Sequence, residues 1–531
     1  MGKVSRVITN IYDKNRKSLL FCLLITFVVG LVTHAYMFFQ DSFSHDSLNE
    51  FNASEFGNEW KIQLGRFIVP VYRMITRGNL TIPWLIGVIA LFWVALSVFL
   101  TVKMFNIENK LYVFLIAGLY STNLAVISNT ATYINDLDAN MFALFLSVLA
   151  VFLWDKWKFG FALSIPCIVL TLGIYQSYIC VTISLVIISI IFKIITHNYD
   201  FKAAFFNGLK SIFALLASGI VYILTFKLVL KATGIQEATN TSNSLDNLGS
   251  LTVPDFINTA INVCKTTIYS LFFPKNSVFG NIIGIFIAFT FLIVGIFILS
   301  QLFKQKERVL ENLLVLFLII ILPFEMSLPE ILAGGVGHDL MRFSHIFIYL
   351  FALLVIHQIQ KSGSTAKKEL IKTIPVYLGK SICILTSLVI LWSNIVSANE
   401  IYLKKDLEQD SALSFFTRVV YQMDNCEDYD RKSTPVVFVG RPDYYDENKN
   451  GFKNGYEIMG ATGNYVLGAA APSWYKRYFE YKLHYDIIVI ENDELAQYKQ
   501  NDYVKDMPCF PDEGCMQKID NVLVVKLGEI N

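Results

Sequence analysis

Residues 40–76 read QDSFSHDSLNEFNASEFGNEWKIQLGRFIVPVYRMIT and stand between the first two apolar segments of the chain. They belong to the one long polar insertion of the N-terminal half, residues 40–82. The insertion opens on acids and a histidine: Asp41, His45, Asp46 and Glu50. It closes on apolar residues at helical spacing (Trp60, Leu64, Phe67, Ile68, Val71), interleaved with Lys61, Arg66, Arg73 and Arg77. Arg66 and Arg73 are seven apart, which predicts a shared face on one helix. A carboxylate held at a membrane boundary beside arginines suits one task, gripping a lipid-linked phosphate while a hydroxyl is activated.

The remainder of the chain reads as a frame for that insertion. Of 531 residues, 54% are hydrophobic and 16% charged, whereas soluble proteins carry about 25% charged residues. Apolar runs recur that are long enough, at about 18 residues or more, to cross roughly 30 Å of hydrocarbon. The expectation is a mainly α, polytopic transmembrane helical bundle of about eleven spans, near 18–39, 83–104, 111–128, 141–154, 159–174, 178–195, 205–230, 282–303, 310–323, 343–359 and 377–397. The first span lacks a small-residue cleavage site and reads as an anchor. Basic clusters at 1–17, Lys156 with Lys158, 304–308 and 361–372 all fall on one side of this count. That pattern predicts a multi-pass protein with a cytoplasmic N-terminus and an extracytoplasmic C-terminus; the expected location is the cell's inner membrane. A net charge of +1 gives no reason to expect nucleic acid.

From Glu400 onward the composition turns polar, and β-rich runs appear in PVVFVG, YDIIVIEN and NVLVVKLG, with helical spacing in SALSFFTRVVYQMD. The division is a transmembrane part, 1–399, and a small extracytoplasmic α/β domain, 400–531. Of eight cysteines, Cys509 and Cys515 flank a Pro/Gly turn that can bring them within disulfide reach.

The acids gather at the ends of the spans and not in their middles, which favours surface chemistry over passage through the membrane. Asp46 is the first candidate for a general base, with Asp41 the second; the plain alternative is a solvated loop acid. Asp136 and Asp138, on an expected extended outer loop, share a face and can bind an acceptor sugar or a divalent cation; equally, they cap the fourth span. Arg66, Arg73 and Arg342 are candidates for the phosphate, against simple contact with lipid headgroups. His45, His338, Asp339 and Lys526 complete the expected substrate contacts, and Tyr175 and Gln176 can line a sugar pocket. A divalent cation is possible but not required, and no metal site or cofactor is assigned.

The motifs SFSHDSLNE, NEWKIQLGRFIVP, TPVVFVG and MPCFPDEGCMQKIDNVLVVKLG together resemble the serotype-converting O-antigen glucosyltransferase family. The resemblance implies a GT-C-like fold and transfer of glucose or a related hexose from a polyprenyl-phosphate donor. That donor is made on the cytoplasmic face by a separate enzyme and turned outward by a flippase. The acceptor it implies is a cell-surface polysaccharide. It also implies an essential acid in the first outer loop, Asp46 or Asp41, and maps a C-terminal cysteine and lysine to Cys509 and Lys526. The Asp-Asp pair common in GT-C enzymes is replaced here by His45-Asp46. The competing classes are a lipid-sugar flippase or polysaccharide transporter, against which near charge-free spans and a folded tail argue, and a surface sensor, for which about eleven spans are far more than an anchor needs.

Overall fold

The computed structural model describes residues 2–40, 43–54, 56–157, 159–239, 252–273, 279–304, 307–335, 337–363, 370–442 and 472–530. Helix α1 (Gly2–Phe39) delivers the chain to the polar insertion, which folds as three short helices, α2 (His45–Asn49), α3 (Gly57–Gln63) and α4 (Ile68–Thr76). Then come α5 (Pro83–Met104), α6 (Lys110–Ser121), α7 (Leu124–Thr132), α8 (Ile134–Lys156), α9 (Gly160–Ile174), α10 (Ile179–Ile195) and α11 (Phe201–Thr233). The second half supplies α12 (Val253–Phe272), α13 (Ile282–Lys304), α14 (Val309–Met326), α15 (Leu328–Leu332), α16 (Phe347–Gly363) and α17 (Leu370–Asp424).

Among the described residues, eight helices are long and apolar enough to cross a membrane, or nine if the bent pair α6 and α7 counts as one span. The two remaining expected spans correspond to shorter apolar helices, Gly160–Ile174 and Phe343–Gln358. α5, α8 and α10 form the middle of the bundle and are mostly buried, whereas α11 and α14 leave most of their apolar surface outside. Leu216, Ile220, Leu224 and Leu228 are each more than half exposed. A stripe of that kind is stable against lipid tails and not against water, so the chain is membrane-embedded.

The expected boundary at Glu400 falls inside α17, which continues from an apolar half into a polar one. No Gly or Pro interrupts positions 380–424, so nothing breaks the helix. At 55 residues it reaches about 80 Å, far more than a bilayer's hydrocarbon core. Its distal half buries Ala412, Phe415, Phe416, Val419 and Met423, the helical spacing read in SALSFFTRVVYQMD. Against it lies a three-stranded sheet, β1 (Val436–Val439), β2 (Met516–Ile519) and β3 (Val522–Lys526), in the order β1-β3-β2. β1 runs parallel to β3, and β2 antiparallel to it. Asp520 and Asn521 turn the β2–β3 hairpin with φ of 50° and 65°, the conformation that two-residue hairpin loops require. The strand expected in YDIIVIEN reduces to one bridge, Val489 with Val436. No disulfide joins Cys509 and Cys515.

One core joins this C-terminal unit to the first insertion. Phe43, just before α2, and Leu48, within it, share a buried cluster with Phe415, Phe416, Phe438, Tyr478 and Phe479. Phe51 lies 4.5 Å from the Tyr481 ring, and the Gln409 side chain donates to the Phe43 carbonyl at 2.6 Å. Phe416 is the centre of that cluster, fully buried with Tyr475, Tyr478 and Phe479 rings within 5.3 Å. Phe416→Ala is expected to cost about 3–5 kcal/mol. The check is thermal unfolding of the purified chain: a clearly lower midpoint is expected, and an unchanged one would mean that the aromatic cluster does not hold the two parts together.

Candidate active site

The site is built on buried charge. Glu50, just after α2, accepts from Lys61 Nζ at 2.7 Å and from Arg73 at 2.6 Å. Asp136, in the first turn of α8, accepts from the same two cations, with Arg73 at 2.8 Å. Arg73 also donates to Asn58 at 3.3 Å and is fully buried. Gly57 is what lets α3 start this close to Glu50, since a Cβ there would meet Glu50 Cγ at 2.8 Å. Beside this four-membered ring, Arg77 pairs with Asp138 at 2.9 Å and donates to the Asn135 and Leu80 carbonyls at 2.6 and 2.8 Å.

These contacts correct two expectations. Asp136 and Asp138 lie on a helix and not on an extended loop, so positions two apart diverge by about 200°, and each meets a different cation. Arg66 and Arg73 share no helix face. Gly65 adopts φ of 75°, ends α3 and places Arg66 in the turn before α4.

The ring forms one wall of a cavity of about 730 Å³. α2 contributes Asp46 and Asn49; α3 and its turn contribute Trp60, Lys61, Leu64 and Arg66. Asn129, Tyr133, Asp136 and Asn140 line it from α7 and α8. The far side is Leu332, Ala333, Gly334, His338, Leu340 and Met341, a mainly apolar strap. Asp46 is half-buried. Burial raises its carboxyl to about 6, with Lys61 and Arg66 pulling it down and Glu50 and Asp136 pushing it up. Arg66 holds its guanidinium 4.5 Å over the Tyr175 ring. Its Nε is buried without a hydrogen bond, and among the described residues no carboxylate pairs with it. His338 meets the Tyr133 hydroxyl through Nε2 at 3.2 Å, leaves Nδ1 without a partner, and is held below the usual imidazole range by burial.

Asp46, Arg66, Asp136 and His338 are therefore brought together, with Tyr175 beside them. Arg73 and Asp138 stand behind the wall. Arg342 grips Glu330 at 2.8 and 3.0 Å and Asp339 at 3.1 Å, which braces the strap that carries His338. Lys526 is remote from the lining; its Nζ donates to the Lys505 and Met507 carbonyls at 2.6 and 2.7 Å. Gln176 bonds the Leu64 carbonyl and Tyr222, both at 3.0 Å, and does not line the cavity. Asp41 and the His45 side chain lie outside the described residues. Among the described residues, no group of three or more His, Cys, Asp or Glu side chains is placed to share a metal ion.

Sequence reading passed over Glu50 and Lys61 as site residues. Glu50 stands four positions after Asp46, a helical spacing that could have joined them; nothing local marks Lys61, Asn129 or Asn140. Removing one member of a buried ion ring strands the charges it faced, at about 3–5 kcal/mol. Arg73→Ala is thus expected to lower the unfolding midpoint of the purified protein strongly. A stable variant with weakened donor binding would instead make Arg73 a ligand of the substrate.

The model of the family described as glucosyl transferase GtrII matches residues 35–357, more than half of the chain and every residue that lines the cavity. No curated protein and no solved structure matches the chain. The chain belongs to the glucosyl transferase GtrII family, and with its apolar helices it is a membrane glucosyltransferase.

Proposed function

We propose that the chain transfers glucose from a polyprenyl-phosphate carrier to a cell-surface polysaccharide such as O-antigen, at the outer face of the inner membrane, as a GT-C-type inverting enzyme. One observation carries this reading: a single cavity sets Asp46, with a carboxyl titrating near 6, against Arg66 and Lys61 on one side and an apolar strap on the other. A base is most effective when its pKa lies near the working pH. Arginine forks match phosphate oxygens. The apolar strap offers a surface to a carrier lipid.

In the proposed reaction Asp46 takes the proton of the acceptor hydroxyl. That oxygen attacks the anomeric carbon from the face opposite the phosphate. The bond from that carbon to the phosphate oxygen breaks, its electron pair stays on the phosphate, and the configuration inverts. Arg66, with Lys61 behind it, meets the charge that grows on the leaving group. The basic clusters support a cytoplasmic N-terminus, which puts the cavity outside; the donor-making enzyme and a flippase are then the functional partners.

Isolated membranes supplied with glucosylated carrier lipid and acceptor test this. Asp46→Asn is expected to lower transfer about 10²- to 10⁴-fold at normal expression, and full activity would remove Asp46 from the mechanism. Carrier-sugar movement across vesicles without any glycan product would point to a flippase instead. The pH dependence has a fixed sign. The base works deprotonated, so the rate is flat above pH 7, half-maximal near 6 and roughly a tenth at pH 5. A rate indifferent to pH between 5 and 7 would contradict a base titrating where Asp46 does.

A further inference from the structure

A second cavity lies at the opposite end of the bundle. It measures about 380 Å³ and opens between residues 15–21 of α1, the end of α5 and the start of α6. Among the described residues its rim carries Lys17, Lys103 and Lys110 with one acid, Glu108, and its floor is apolar, including Phe21, Val102 and Val113. Lys103 Nζ lies 5.5 Å from the Phe99 ring centroid, and Lys110 Nζ 5.6 Å from that of Phe21. These stems rest on apolar surface while the ammonium groups reach the polar boundary. The turn after α5 holds the rim in place. Asn106 takes a φ of 52°, and the Ile107 amide donates to the Val102 carbonyl at 2.9 Å, which folds Glu108 and Lys110 back beside Lys103. No residue here lines the Asp46 cavity.

A soluble anion has no use for Phe21 and Val113, and a zwitterionic headgroup brings its own cation against the lysines. Lysines above an apolar floor, at the ends of membrane-crossing helices, fit a phosphate with acyl chains attached. We propose that this cavity binds the phosphate headgroup of an anionic phospholipid and so fastens the α1–α5–α6 corner.

The test uses the full chain purified in detergent and given phosphatidylglycerol, phosphatidylcholine or inorganic phosphate, with retained lipid read by native mass spectrometry and stability by thermal unfolding. Phosphatidylglycerol is expected to be retained and to raise the midpoint; the other two are not. Lys103→Gln with Lys110→Gln should weaken retention by roughly tenfold or more, whereas Arg66→Gln, in the other cavity, should leave it unchanged. Should the double variant fail to fold, Lys17→Glu at an exposed position is expected to weaken retention in the same direction. Equal retention of phosphatidylcholine, wild-type retention by the lysine variants, or a shift reproduced by inorganic phosphate alone would overturn the proposal. None of these readouts uses glucosyl transfer, so the result stands apart from the proposed reaction.

Discussion

The ring of Glu50, Lys61, Asp136 and Arg73 is the constraint on which the site depends. Each carboxylate meets both cations and each cation meets both carboxylates. Taking four ions out of water costs several kcal/mol apiece, and only two opposite neighbours for every charge can offset that. The ring therefore exists in one arrangement or not at all. That property ties the first insertion to the start of α8 at a fixed distance, which neither apolar packing nor the short helices α2, α3 and α4 could do alone. Helices of five to nine residues are not stable by themselves.

The second constraint is the aromatic core that α2 shares with the C-terminal unit. Asp46 lies in the first turn of α2. Below it Ser44 donates to the Thr132 carbonyl; to the side, Leu48 is buried among Phe415, Phe416 and Phe479. Asp46 is thus fixed by the bundle and by the tail together, although among the described residues none of the tail lines the cavity. A folded tail on a membrane enzyme has a mechanical reason here: without it, one whole face of α2 would be exposed.

How much of this was legible in the sequence follows from the kind of signal each part leaves. The spans were legible because a run of apolar residues is a local property. Even the short α9 and the bent α6–α7 pair correspond to expected segments. The first insertion was legible as a candidate site, and it does line the cavity, because polar residues in so apolar a chain need a reason. What could not be read was pairing. Arg66 and Arg73 are the same residue type at heptad spacing, yet Gly65 ends the helix between them and sends one to the cavity and the other into the wall. Asp136 and Asp138 look equivalent until α8 is seen to begin at Ile134. Lys526 ends a strand as expected, but its register points its ammonium at two carbonyls within its own domain. Gly65 aside, these outcomes are decided by contacts between positions far apart in the chain, such as Asp136 with Lys61 and Arg73, of which composition and periodicity carry no trace.

The ring also explains how Asp46, the proposed base, and the neighbouring Lys61 can coexist. An ammonium free to bond Asp46 would hold that carboxylate in a tight pair and drain its basicity. Lys61 is not free, because Glu50 and Asp136 both hold it. The ring sums to zero charge, so its attraction for Asp46 is largely cancelled: Lys61 pulls the carboxyl down while Glu50 and Asp136 push it up. Burial then decides, and the carboxyl titrates near 6. Arg66 has the complementary fate, lying against an aromatic face, and among the described residues no acid is paired to it. Across the cavity this leaves one carboxylate kept basic and one guanidinium kept unneutralised. The proposed displacement of a phosphate by a hydroxyl uses that pair, and a simple salt bridge between the two would abolish it.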